Sequence, residues 1–370
     1  MNDEDLLGRH ADSVHAEGTG SLAAVRIETQ QGIDLRCLGE EWRALEATAQ
    51  PVFFRCWSWV GSLAKERFGA PLLVRAHRDG RLIGLALFNR GPGRLALTET
   101  GEEALDAPFV EHNAPLLDPT APPGLAPAML HAAWRAAGGG RLQLGGVTPA
   151  LAAAAGGVEF RRQDRSAPYV DLAQLRAEGR PYLAALSANT RYQLRRSVRH
   201  YAQWGPPRLE RATEVPQALD WLAAMIELHE AMWRARGLPG AFASDYLRRF
   251  HRAVLEAGVP RGEVDLLRCT AGGRLIGYLY NLRGGGRVLS YQGGFEHAEA
   301  GPHGKPGLTC HLLAIEQAMA EGEAVYDFLA GDTRYKRSLT TASETLTWVE
   351  RTPRWSPLGI MVRLRGMLPA

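Results

Sequence analysis

The stretch RVLSYQGGFEHAEAGPHGKPGLTCHLLAIEQAMAEGEAVYDFLAGDTRYKRSL, residues 287–339, decides how the rest of the chain is read. Its first six residues are an apolar and aromatic run suited to a buried strand. Gly301, Gly304 and Gly307 then punctuate a loop that calls for unusual backbone angles. A helix is expected from Thr309, a good N-cap, with Leu312, Leu313, Ile315, Ala318 and Met319 as its apolar stripe and Gly322 as its stop. A short strand over 325–329 follows and breaks at Gly331.

A Gly-rich turn feeding a helix N-terminus aims free backbone N–H groups and the positive end of the helix dipole at one spot, which suits an anion. Lys305 adds a charge there, and Asp327, Asp332, Tyr335 and Lys336 emerge from the next strand end. A strand pair splayed beside such a loop would hold a long cofactor arm. The competing reading of the same glycines is an ordinary surface loop.

The remaining residues bound the possibilities. A chain of 370 residues exceeds one ordinary core, so two domains are expected. The apolar fraction, 45%, is that of a soluble globular protein. A net charge of +3 argues against a dedicated nucleic-acid binder. Cys37, Cys56, Cys269 and Cys310 lie far apart with no metal-ligand spacing, so no metal is expected and a reduced, cytoplasmic setting fits. Residues 1–20 are polar, without a basic start and apolar run, and read as a disordered lead-in rather than a signal or anchor. No apolar run is long enough to enter a bilayer as a span.

Working back from the quoted stretch, PLLVRAHRDGRLIGLALF (71–88) is a hairpin turned at Asp79-Gly80. Its half RDGRLIGLALF recurs as AGGRLIGYLYN, with GRLIG identical at 80–84 and 273–277. Each copy follows a helical region and precedes strand, loop, helix and strand, which points to duplication of one α/β unit. Two similar lobes with mixed sheets flanked by helices are therefore expected: 21–165 and 166–350, with a tail over 351–370. Between them, SANTRYQLRRSVRHYAQW (187–204) is a helix placing Arg191, Arg195 and Arg199 on one face opposite Leu194, Val198 and Tyr201. Those guanidinium groups either clamp a phosphate or carboxylate or make a solvated basic face. Cys310, near a helix start with His303 and His311 close in sequence, is either a nucleophile or a buried packing residue, and the second is the expectation.

The chain resembles the GNAT-type acyltransferases of the BioF2-like, CelD-related branch, whose relatives include the FemAB-like transferases with two tandem GNAT lobes. The residues that carry the resemblance are EEWRALEATAQPVFFRCWSW from Glu40, the 71–88 hairpin, TRYQLRRS from Thr190 and, above all, GKPGLTCHLLAIEQAMAEGEAVYDFLAGDTRYK from Gly304. The resemblance implies direct acyl transfer from acyl-coenzyme A to the amine of a small molecule or sugar, in the second lobe, with the first expected to be a non-catalytic, structural copy. It implies a pyrophosphate on Gly304, Lys305, Gly307, Leu308 and Thr309, and a thioester carbonyl polarised by backbone N–H groups at Tyr291, Gln292 and Gly293. Tyr335 is then the expected acid, Asp327, His303 or Asp332 the expected base, and Lys336, Arg191 and Arg195 the expected contacts to the acceptor. The sequence departs from the usual phosphate loop at Gly304-Lys305-Pro306-Gly307, where proline removes a donor. An aminoacyl-tRNA donor with a cell-wall or peptide acceptor is the alternative, and a non-catalytic member of a polysaccharide pathway is a third.

Overall fold

The computed structural model describes residues 21–365 except 103–104, 107–109 and 299, so the expected lead-in lies outside the described residues. The first half contains β1 (Val25–Gln30), α1 (Leu35–Ala49), α2 (Trp57–Arg67), β2 (Pro71–Arg78), β3 (Arg81–Gly91), β4 (Arg94–Leu97), β5 (Leu116–Leu117), α3 (Leu125–Ala136), β6 (Arg141–Val147), α4 (Pro149–Ala154) and β7 (Val158–Asp171). After α5 (Leu172–Ala177), α6 (Tyr182–Ala185) and α7 (Ala188–Ala202) come β8 (Pro207–Arg211), α8 (Val215–Arg234), α9 (Asp245–Gly258), β9 (Val264–Ala271), β10 (Arg274–Gly284) and β11 (Arg287–Phe295). The chain continues through α10 (Pro306–Ala320), β12 (Val325–Asp327), α11 (Arg334–Leu339), β13 (Ala342–Thr352) and α12 (Pro357–Arg365).

The fold is α/β, and one mixed sheet runs through both lobes in the order β1-β2-β3-β4-β6-β13-β7-β12-β11-β10-β9-β8, with β5 beside β3. The duplication extends to the register. In the first hairpin Ala76 faces Gly84 and a bulge follows; in the second, Cys269 faces Gly277 at the equivalent place, with a bulge again. Each lobe then adds a parallel pair, β4 with β6 and β11 with β12, linked by the crossover helices α3 and α10. The closing strands are exchanged between lobes: β7 pairs with β12 of the second lobe, and β13 pairs with β6 of the first. β7 and β13 also pair with each other from Ala342↔Tyr169 to Thr352↔Val158, so the sheet is continuous across the lobe boundary.

Both faces of the central strands are covered, which is why they read as unbroken apolar runs rather than alternating ones. In the second lobe Tyr278, Tyr280 and Leu282 pack under α8 and α9, while Ile276 and Leu279 pack under α7 and α10. The first lobe repeats this with Leu85 and Leu87 on the α1–α2 side and Ala86 and Phe88 on the α3 side.

Two local expectations are corrected. Helix α10 begins at Pro306 rather than Thr309, because proline's fixed φ suits the first helical position and its missing N–H costs nothing there. Of the three loop glycines only Gly301 has a left-handed backbone, φ +58°. Gly304 is required for space, since an added Cβ would stand 2.2 Å from the Ala300 carbonyl oxygen, whereas at Gly307 the nearest atom, on Phe295, is 3.4 Å away.

Candidate active site

Strands β11 and β12 pair only from Arg287↔Val325 to Leu289↔Asp327 and then part. From Ser290 onward no strand among the described residues pairs with that edge of β11, and a cavity of about 980 Å³ opens there, closed at one end by the start of α10 and at the other by the loop after β12. Its wall includes Tyr291, Gln292, Gly293, Gly304, Lys305, Gly307, Leu308, Tyr335 and Lys336, so most residues singled out in the sequence meet in one place.

The β11 wall is irregular where it matters. Tyr280 faces Gln292 but Asn281 faces Ser290, so Tyr291 is bulged out of the ladder with β10. Its side chain points away from any cofactor role: the ring sits among Phe54, Trp59 and Tyr280, and its hydroxyl meets His251 Nε2 at 3.3 Å. Only the backbone of this segment is available for polarising a carbonyl. His229 fixes it from the helix side. His229 Nε2 accepts the Ala241 N–H at 3.2 Å, so Nδ1 carries the proton and donates to the Gly293 carbonyl at 3.1 Å. Burial lowers the pKa of His229 and keeps it neutral.

At the opposite wall, Gly307 and Leu308 occupy the second and third positions of α10, where backbone N–H groups have no intrahelical acceptor. The first helical bond is Thr309 N–H to the Lys305 carbonyl, 3.0 Å. Ser197 of α7 braces this turn, accepting the Lys305 N–H at 2.9 Å and meeting Thr309 Oγ1 at 2.8 Å. Thr309 is consequently buried and occupied, not part of the cavity wall.

Tyr335 stands on α11 with its ring against His311 and Phe328, at centroid distances of 5.6 and 6.1 Å. It is 38% exposed where it borders the cavity, yet the dense protein around the phenol raises its pKa well above the usual value. It therefore stays protonated. His311, also in the cavity wall, meets Tyr326 Oη at 3.1 Å, and burial lowers its pKa to about 3.

The carboxylate in the cavity wall comes from the other lobe. Glu111 is 7% exposed, and its Oε2 accepts the Ala330 N–H at 2.7 Å. Burial raises its pKa from an ordinary 4.5 to about 7, against the lowering effect of that hydrogen bond. Lys336 Nζ donates to the carbonyls of Leu329 and Ala330 at 3.0 and 2.9 Å, and burial lowers its pKa.

The expected bases are placed otherwise. Asp327 is fully buried and fully engaged: it accepts from the Leu329 N–H at 2.7 Å, meets His112 Nε2 at 2.8 Å and pairs with Arg287. His112 and Arg287 hold its carboxyl below the usual range despite the burial, so it is a structural anion. His112, Asp327 and Glu344 cluster as metal ligands would, but Arg287 already supplies the cation, donating to Glu344 at 2.8 Å as well. Asp332 is exposed and paired with Arg337 at 2.7 Å, and His303 is exposed; neither borders the cavity. Arg191 donates to the Leu186 carbonyl, and Arg195 is exposed on α7 outside the cavity wall, as a solvated face would be. Cys310 is buried beside Cys269, its thiol pushed well up by desolvation, which fits a packing role.

Sequence patterns gave no sign of Glu111, because it lies in an irregular loop and owes its position to the contact between lobes. The first lobe has a smaller cavity, of about 100 Å³, and its wall includes the carboxyl groups of Glu99 and Asp106. Asp106 accepts the N–H groups of Thr100 and Gly101 at 2.7 and 2.8 Å, and the buried Glu99 carboxyl lies against Gly145.

Residues 188–337 match the acetyltransferase (GNAT) domain family. The second lobe is a GNAT acetyltransferase domain. The match supports an acyltransferase activity for this lobe, and there the resemblance stated from the sequence holds at the level of the GNAT domain. Similar solved structures are FemX, with 12% identity and a TM-score of 0.58, covering 87% of this chain and 97% of that one. The C-terminal domain of a putative lysylphosphatidylglycerol synthetase from Agrobacterium fabrum follows, with 13% identity and a TM-score of 0.54, covering 90% of this chain and 97% of that one. L-PGS from Bacillus licheniformis has 12% identity and a TM-score of 0.53, covering 89% of this chain and 97% of that one. These likenesses show a shared fold for the GNAT domain and the lobe before it. Among proteins of curated function, none matches the sequence significantly.

Proposed function

We propose that the second lobe transfers an acyl group from acyl-coenzyme A to the amine of a small molecule or sugar, with the first lobe serving as a structural copy that contributes Glu111. The observation that carries this reading is the cavity in the strand splay, with the α10 N-terminus at one wall and Glu111 and Tyr335 in the other. The donor's pyrophosphate would lie at the N–H groups of Gly307 and Leu308 with Lys305 beside it, where partial positive charge and a cation coincide. Its pantetheine arm would lie along the unpaired edge of β11, and the thioester carbonyl would take a hydrogen bond from the backbone at Tyr291 to Gly293.

Chemistry then needs two proton transfers. Glu111, with a pKa of about 7, takes the proton of the attacking amine as the C–N bond forms. Tyr335, held protonated by its surroundings, delivers a proton to sulfur as the C–S bond breaks. Lys336 holds the loop that carries Ala330 in place and adds positive charge near the acceptor. Acetyl transfer measured as free-thiol release with a panel of amines tests the assignment; turnover that survives Glu111→Gln and Tyr335→Phe unchanged would overturn these roles.

A second reading has one observation in its favour. Pro306 withholds a donor at the first position of α10, so the turn offers a pyrophosphate fewer N–H groups than a helix start usually does. An aminoacyl-tRNA donor, drawn to the exposed Arg195 and Arg199, would not depend on that turn.

A further inference from the structure

We infer that the helix α12 together with Trp355 is a docking surface for an anionic lipid bilayer. Trp355 is 80% exposed, and Ile360, Met361 and Leu364 are 43%, 39% and 59% exposed on the outer side of α12. The inner side, with Gly359 buried and Leu358 and Val362 half-buried, packs toward β7. The helix is thus apolar nearly all round but covered on one side only. Phe160, 43% exposed, lies on β7, the strand that α12 packs against.

The charges around it choose the occupant. Residues 351–370 hold four arginines, Arg351, Arg354, Arg363 and Arg365, and no aspartate or glutamate. Arg354 and Arg363 are exposed, and the Arg363 guanidinium lies 5.4 Å from the Trp355 ring centroid. The neighbouring carboxylates of Glu159 and Glu350 are already paired, with Arg162 and Arg351 and with Arg141. A second copy of the chain would set these arginines against one another, and three side chains on a nine-residue helix with Trp355 beside it fall well short of the roughly 800 Å² per partner of a stable interface. Anionic headgroups match the arginines, and an indole ring fits the boundary between headgroups and acyl chains. Among the described residues no helix is long and apolar enough to cross a membrane, so the contact is peripheral.

Flotation of the full-length chain with vesicles of phosphatidylcholine alone, and of phosphatidylcholine mixed with phosphatidylglycerol, tests the inference. Binding to the phosphatidylglycerol vesicles only, weakened by salt, is expected. The double change Trp355→Ala and Leu364→Ser should abolish it, and Arg354→Gln with Arg363→Gln should weaken it about tenfold. Both variants should keep the thermal midpoint of the parent. Absent binding, equal binding to both vesicle types, or a shift from dimer to monomer on sedimentation of the first variant would each overturn the inference. If the apolar variant fails to fold, the arginine variant decides.

Discussion

Glu111 and Lys336 grip opposite ends of one residue: Glu111 Oε2 accepts the Ala330 N–H at 2.7 Å, and Lys336 Nζ donates to the Ala330 carbonyl at 2.9 Å. A loop of the first lobe and a helix of the second thereby set the backbone at the mouth of the strand splay. Beside them His112 reaches Asp327, so consecutive residues of the first lobe hold the last residue of β12 and the loop that follows it.

If Glu111 is the base, Glu111→Gln should lower kcat by about 10²-fold or more while its amide oxygen still accepts from Ala330. The rate of the parent should rise with pH through about 7, the value to which burial lifts this carboxyl, and that limb should vanish in the variant. Steady-state pH profiles of both proteins check this.

The same shift has a stability consequence. Because the folded pKa, about 7, lies above the ordinary 4.5, the contribution of Glu111 is full below about 4.5 and is lost as pH rises through 7. Glu111→Gln should therefore gain stability relative to the parent between pH 5 and 8, by on the order of 1–3 kcal/mol. Urea unfolding at the two pH values measures it.

Tyr335→Phe keeps the ring that packs on His311 and Phe328 and removes only the proton donor. A fall in kcat of about 10²-fold with KM little changed is expected. A change confined to KM would mark Tyr335 as a binding residue instead.

Asp327→Ala should destabilise the chain by about 3–5 kcal/mol, since it strips His112 and the buried side of Arg287 of their shared carboxylate. Denaturant titration checks this, and a loss below about 1 kcal/mol would contradict the structural role.

The two loop glycines should respond oppositely. Gly304→Ala pushes a methyl group onto the Ala300 carbonyl and should cost about 1–3 kcal/mol. Gly307→Ala has room and lies within α10, so it should be neutral or stabilising by up to about 1 kcal/mol. Thermal melts of both variants separate them.

Much of this architecture is written in local pattern. The repeated GRLIG hairpins, the strand before the glycine loop and the α10 stripe all follow from apolar spacing and turn residues, and the lobes follow from the repeat. The strands β7 and β8 do not show in the same way. β7, VEFRRQDRSAPYVD, is charged through its first half and contains Pro168, and it is a strand because β13 and β12 flank it, a long-range condition. The exchange of β7 and β13 between lobes is likewise invisible to periodicity. Asp327 looks like a base because strand-end carboxylates often are; only the approach of His112 from 215 residues away reveals it as a structural anion. Glu111 was missed for the converse reason: no motif surrounds it, and its raised pKa comes from burial between lobes.

The measurement that bears most directly on the central claim is calorimetric titration of the full chain with desulfo-coenzyme A, run beside bulk tRNA at moderate and high salt. One coenzyme A site per chain is expected, because the first lobe's cavity, about 100 Å³ against about 980 Å³, is small and lined by the carboxyl groups of Asp106 and Glu99, and Lys305→Ala should weaken the affinity about tenfold. No coenzyme A binding, together with salt-sensitive tRNA binding lost on replacing Arg195 and Arg199, would contradict it and assign the donor to the second reading.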